Sequence, residues 1–432
     1  MLPPIVDLTW PSHGSRTVHQ LLSLALGRAH AVVNALGTAG PLDPRTALRA
    51  GGLAGAPLLA SLRRPSRLTL ARCLEFAPSA PAAERLRWAR HLAAWLCLDG
   101  AEAGLGARVA MSDVTELRSE RSGWIVRLPA GARVTLAPHW IEVATPAGTG
   151  HAALPASTEV LAQALEPAGV SVEVAQVPLW GDVSLLLVDS NPLALQEAHP
   201  AKNGNRVDLG GEPLERWRAA LIEAFGVIES TLPVLADEMR LLLGHVGPVG
   251  FFDEQHLSAS YLEATGVIYL SLHPHGMTLV EALIHEFQHN KLNLLLGLDP
   301  VLHNADAPLY TSPVRPDPRP LRGVLLAVHA FEPIARLHDR LITRSLLPDE
   351  QPREVRDAAP DDVPVVEVRL TTPHHDARMA DWHRVRRAEV ARLCHEGCEV
   401  LVEHARPTTA GAELISEIAG LDAETRRWVP GV

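Results

Sequence analysis

The sequence predicts an α+β protein, mainly helical, with a central antiparallel β region and one buried helix that carries the chemistry. Three observations predict it. In HQLLSLALGRAHAVVNAL and AAERLRWARHLAAWLCL, apolar residues recur at three- and four-residue spacing, the mark of amphipathic helices. From about residue 112 to 189 the pattern changes to GWIVRLP, RVTLAP, WIEVATP, VSVEVAQV and DVSLLLVD. These short β-branched runs are bounded by Gly, Pro or Asn and read as strands. Residues 278–296, TLVEALIHEFQHNKLNLLL, return to helical spacing and contain H-E-x-x-H. The chain therefore divides into a helical region 1–110, a β-rich region 111–205 and a helical region 206–432 that holds the motif.

Taken in order, helices fill residues 16 to about 110, and strands follow to Asp189, where VDSNP reads as an Asx-type turn. A polar connector precedes one long helix expected from Leu214 to about Leu243. LSASYLEATGVIYLSL reads as two strands leading into the motif helix, with Ser258 and Ser260 placed to face a substrate groove. Gly297 is the expected helix C-cap. The next stretch, LDPVLHNADAPLYTSPVRPDPRPLRG, is too rich in proline for helix or central strand, and it carries Arg315, Arg319 and Arg322. A helix with a kink at Pro333 follows, then an acidic loop over residues 347–364, then helices over about 377–405 and 409–428.

Composition excludes several classes. The 432 residues are 47% hydrophobic with a mean hydropathy of +0.07, which fits a globular chain with a sizeable core. The net charge of −11 argues against a general nucleic-acid binder. Four cysteines are too few for a disulfide scaffold, and Cys394 and Cys398 lack the second pair that a zinc site of their kind would need. MLPPIVDLTW lacks the basic and apolar segments of a signal peptide, and no uncharged run is long enough to span a membrane, so a soluble cytoplasmic protein is expected.

The motif points to a metal. Residues four apart on a helix share a face, so His285 and His289 can present two imidazoles to one ion, with Glu281 a turn earlier on the same stripe. Glu286 is placed beside the ion, where a carboxylate can orient or deprotonate water. Burying these groups without partners would be costly, and a metal supplies partners. His256, His273 and His275 fall on predicted loops and read as ordinary histidines. A third ligand must come from elsewhere. The metzincin pattern is excluded, because Leu292 and Leu295 stand where its glycine and histidine belong. Glu332, or His329 one turn before it, remains available. The donor set suits zinc, as in a zinc metallopeptidase, or iron(II).

Three blocks extend this reading: SAS followed by a strand ending GVIYLS, then EALIHEFQHNKLNLLL, then YTSPVRPDPRPLRGVLLAVHAF. In their order and spacing the chain resembles the 2-oxoglutarate-dependent HExxH-type peptide β-hydroxylases, which tailor ribosomally made peptides. The resemblance covers residues from about 206 onward. It implies iron(II) held by His285, His289 and a third residue taken as His329, with Glu286 in support and a precursor peptide as substrate. It also implies an arginine for the distant carboxylate of 2-oxoglutarate, Arg319 first and Arg315 next. One departure stands out: members often carry a histidine where this chain has Leu326.

Overall fold

The computed structural model describes residues 2–35, 53–194, 198–199, 202–203, 207–311, 317–345 and 377–428. It is an α+β molecule, mainly helical, and its described residues form a four-stranded and a three-stranded antiparallel sheet, one five-stranded mixed sheet and two two-stranded antiparallel ladders. Helices Arg16–Ala35, Gly55–Leu62, Pro65–Phe76 and Ala82–Glu102 open it. Their apolar stripes, such as Val18, Leu21, Leu22, Ala25, Ala29 and Val33, are buried, as the spacing requires.

The β region is built from local pairings first. Arg133–Ala137, Trp140–Thr145 and Gly148–Ala153 form an antiparallel meander with Val109–Ser112 on its edge, and Trp124–Arg127 lies between Glu116–Ser119 and Ser171–Val174. The third sheet departs from the antiparallel expectation. Val183–Leu186 runs parallel to His245–Phe251, which runs parallel to Val267–Leu272. This sheet joins the β-rich region to the motif region, and a single hydrophobic cluster from Ile5 to Ile418 crosses all three sequence regions.

The helix expected over 214–243 is two, Leu214–Thr231 and Pro233–Leu242. Proline has no N–H to continue the ladder and restricts the residue before it, so the break falls at Leu232. By contrast, Leu321–Ser345 runs unbroken through Pro333. Gly297 does follow the motif helix, but with φ −71° and not in the left-handed conformation. Its small size serves a close approach instead: a Cβ there would meet Arg72 Nη2 at 2.3 Å. Asp189 forms the expected turn, accepting from the Ser190 and Asn191 backbones at 2.6 and 3.0 Å, and it also accepts from the Tyr269 hydroxyl.

The motif helix, Gly276–Leu296, follows Val267–Leu272 and packs on that strand and on Leu321–Ser345. Leu279, Leu283, Phe287, Leu292 and Leu295 are all at most 1% exposed, each contributing roughly 1.5–3 kcal/mol of burial. Its back is closed by residues remote in sequence. Gln288 Nε2 donates to the Thr9 carbonyl at 2.7 Å, and Lys291 Nζ meets Glu238 at 2.7 Å with both side chains fully buried. The backbone N–H groups of Leu8, Thr9 and Trp10 donate to Glu417, and that of Ile5 to Glu413, both on the helix Thr409–Trp428. Among the described residues, no helix is long and apolar enough to cross a membrane.

Candidate metal site

The motif helix places His285, Glu286 and His289 so that one ligand atom from each lies within 4.8 Å of the others. The imidazole centroids of His285 and His289 are 4.3 Å apart, and His289 Nδ1 lies 3.6 Å from Glu286 Oε2. Phe331 sets its ring edge against His285 at 5.0 Å, fixing that imidazole from the neighbouring helix. Burial is the main cause that holds His285 at about 4, with His289 adding to the effect and Glu286 and Glu281 opposing it. Burial likewise holds His289 at about 4. Both imidazoles are therefore uncharged at neutral pH, the form that ligates a metal.

Two buried atoms in this group, Glu286 Oε2 and His289 Nε2, have no hydrogen-bond partner. Leaving such atoms unmatched costs about 1–3 kcal/mol each. A divalent ion bound by two neutral imidazoles and a carboxylate would satisfy them, and this donor set fits zinc or iron(II).

The two residues considered as a third ligand differ in what already holds them. Glu332 accepts from Thr425 Oγ1 at 2.8 Å and faces Arg336 Nε at 3.3 Å. Its carboxylate is spent on the helix packing. His329 is fully buried, with no side chain bonded to its ring nitrogens and the Leu8 backbone against it, though it stands outside the group of three. Burial, with Lys291 and His289 nearby, pushes its imidazole far below the usual range, so it too is neutral. Three residues earlier on this helix, the backbone of Leu326 lies against His289.

A cleft of about 1080 Å³ opens on the His285 side of the motif helix. Ala224, Val227, Met277, Val280, Ile334 and Trp382 give it apolar walls. Ser258 lines it, whereas Ser260 donates its hydroxyl to the Glu286 carbonyl at 2.9 Å and so braces the helix. His256, His273 and His275 line the cleft as well, although their place in the sequence marks them only as loop residues. His256 is held at about 4 by burial, then by His273 and His285, and its Nε2 is buried without a partner.

Glu281 belongs to a different device from the one its spacing suggests. Arg386 grips it through Nε and Nη2 at 3.1 and 2.6 Å, and His338 Nε2 lies 3.1 Å away. His338 Nδ1 in turn meets His383 Nδ1 at 2.9 Å. Burial works against ionisation of Glu281, but the hydrogen bonds from His338 and Arg386 outweigh it and hold the carboxyl at about 2. This clamp ties Ala377–His404 across the cleft onto the motif helix. No local pattern marks it, because His383 and Arg386 lie about a hundred residues beyond Glu281.

Of the arginines expected to bind 2-oxoglutarate, Arg319 is not part of the cleft wall. Arg319 sits on the short strand before the Leu321–Ser345 helix, with Nε 2.9 Å from Asp317, and it does not line the cleft. Arg315 lies outside the described residues. Arg322 pairs with Asp306 at 3.1 Å, a surface contact. All four cysteines are buried, and none forms a disulfide. No protein-family model and no curated protein matches this chain.

Proposed function

We propose that this protein is an iron(II)- and 2-oxoglutarate-dependent oxygenase that hydroxylates the β-carbon of a residue in a ribosomally made precursor peptide. The observation that carries the metal part is the group His285, Glu286 and His289, in which Glu286 Oε2 and His289 Nε2 are buried without a hydrogen-bond partner and His285 lines a cleft of about 1080 Å³. The choice of oxygenase rests on the sequence resemblance. It is favoured over the zinc metallopeptidase by one contact: the Glu332 carboxylate that a peptidase would use as ligand is already held by Arg336 and Thr425.

In this reading His285 and His289 hold the ion, and His329, which no side chain engages, is the third nitrogen donor on the neighbouring helix. When bound, iron(II) with its co-substrate supplies the oxidising power for C–H hydroxylation. The chain's own residues do the rest. Phe331 keeps the His285 ring in place, and the apolar walls exclude water from the reacting carbon. Glu286, beside His289, orients a ligand or a water. The Glu281–Arg386 clamp fixes the far wall against which a peptide side chain packs. The described residues offer the 2-oxoglutarate carboxylate no uncommitted arginine in the cleft, so its seat is not assigned to one.

The test is succinate formation from 2-oxoglutarate by anaerobically reconstituted iron(II) protein, started with air, beside His285→Ala and Arg319→Ala. Turnover in the parent that vanishes in His285→Ala is the expected result, with loss in Arg319→Ala assigning the carboxylate seat. Absence of turnover with stoichiometric zinc in the purified protein would replace the oxygenase with a hydrolase.

A further inference from the structure

A second cavity of about 310 Å³ lies at the other end of the parallel strands from the metal cleft. His245 begins the strand that pairs with Val267–Leu272, while the cleft is lined by His273 and Pro274, just past that partner's far end. The two pockets are thus separated by the length of the sheet. Nothing in the oxygenase reading uses the second one.

Its lining is unusual in what it leaves unmatched. His245 Nδ1, Gln176 Oε1 and Thr265 Oγ1 are buried polar atoms with no hydrogen-bond partner, and all three residues line the cavity. Their exposures are 2%, 8% and 4%, so bulk water does not serve them. Gln176 is already oriented, its Nε2 donating to the Glu120 carbonyl at 3.2 Å and to Ser184 Oγ at 3.4 Å, which leaves the amide oxygen as an acceptor. Burial is the main cause that keeps the His245 imidazole at about 4, so at neutral pH it offers an uncharged ring.

The cationic side is equally specific. Arg63 and Arg64 enter from the turn between two N-terminal helices, and both line the cavity. Among the described residues Arg63 has no carboxylate partner; its Nη2 donates only to the Leu241 carbonyl at 2.9 Å. The carboxylate near Arg64 is Asp99 at 3.8 Å, and Asp99 is itself held by Arg67 at 2.8 and 3.0 Å. Glu120 is likewise engaged, by the Ser66 backbone at 2.7 Å and by Arg67 at 3.7 Å. Two guanidinium groups are left to bind an anion from outside. Gln176 Oε1 and the lining carboxylate Asp182 ask for a donor on the same molecule. At roughly 30 Å³ per water, the volume equals that of about ten waters, room for a small organic acid and not for a nucleotide.

We propose that this cavity binds a small carboxylic acid bearing a hydroxyl or ammonium group next to its carboxylate. The carboxylate sits between Arg63 and Arg64, and the adjacent donor is received by Gln176 Oε1, with the Thr265 hydroxyl and His245 Nδ1 completing the site. The proposal does not depend on the oxygenase reading.

The test is thermal melting and titration calorimetry of the full chain with L-lactate, L-serine and acetate. Lactate or serine is expected to raise the melting temperature saturably, and acetate, which lacks the second donor, to bind about tenfold more weakly. Arg64→Gln and the near-isosteric Thr265→Val should each weaken binding about tenfold or more while melting normally without ligand. His285→Ala should leave binding unchanged, which separates this site from the metal cleft. No response to lactate or serine, or a response that survives in both Arg64→Gln and Thr265→Val, would overturn the proposal.

Discussion

The two faces of the motif helix treat the same kinds of residue in opposite ways. At the back, Gln288, Asn290 and Lys291 each have a protein partner: the Thr9 carbonyl, the Val267 carbonyl and the Glu238 carboxylate. In the H-E-x-x-H group, Glu286 Oε2 and His289 Nε2 are buried with none. A polar group inside a fold is either spent on the fold or kept for something that arrives later, and this helix does both within one turn. The back face is therefore expected to govern stability, and the front face metal binding.

The sharpest way to break that comparison is Lys291→Met. It leaves the Glu238 carboxylate buried without its cation and should cost about 3–5 kcal/mol in urea unfolding. A loss no larger than that of a surface substitution would mean the ion pair is not what holds the back face. Next is His289→Ala, which should abolish stoichiometric metal binding, read by metal analysis after dialysis, while shifting stability by no more than about 1 kcal/mol. If it instead unfolds the protein, the front face is structural too.

Acid titration probes the boundary between the faces, because the Glu281 clamp has been spent on structure although it lines the cleft. Its carboxyl lies at about 2, below the ordinary value near 4.3, so its stabilisation is complete above about pH 4.5. It should be lost as pH falls from there toward 2, a contribution on the order of 3 kcal/mol. Glu281→Gln should remove that segment of the pH–stability profile; an unchanged profile would show that the clamp contributes nothing. The smallest expected effect is a gain. The backbone of Leu326 lies against His289, so Leu326→His should tighten metal binding about tenfold in competition titrations. Unchanged affinity would place position 326 outside the ligand sphere.

What the sequence made legible was local. H-E-x-x-H at helical spacing, the amphipathic N-terminal helices and the Arg133–Ala153 meander are each set by neighbours a few residues apart. Spacing alone could not say who would stand opposite. Glu281 shares a stripe with His285, and only the arrival of Arg386 and His338 takes it for the clamp. His256 and His273 read as loop residues because their closeness to His285 is made by the sheet. The parallel pairing of Val183–Leu186 with His245–Phe251 joins strands about sixty residues apart, and neither strand's own pattern names its partner.

The backbone hydrogen bonds from residues 5, 8, 9 and 10 to Glu413 and Glu417 have a temporal meaning. A chain emerging from the ribosome has made the motif helix well before the helix that receives those N–H groups exists. Until it does, the segment bearing Thr9 lacks the carboxylates that hold it behind Gln288. The segment that covers Gln288 is thus held in place only by residues near the end of the described chain. The backing of the donor group therefore draws on residues translated more than a hundred codons after His289.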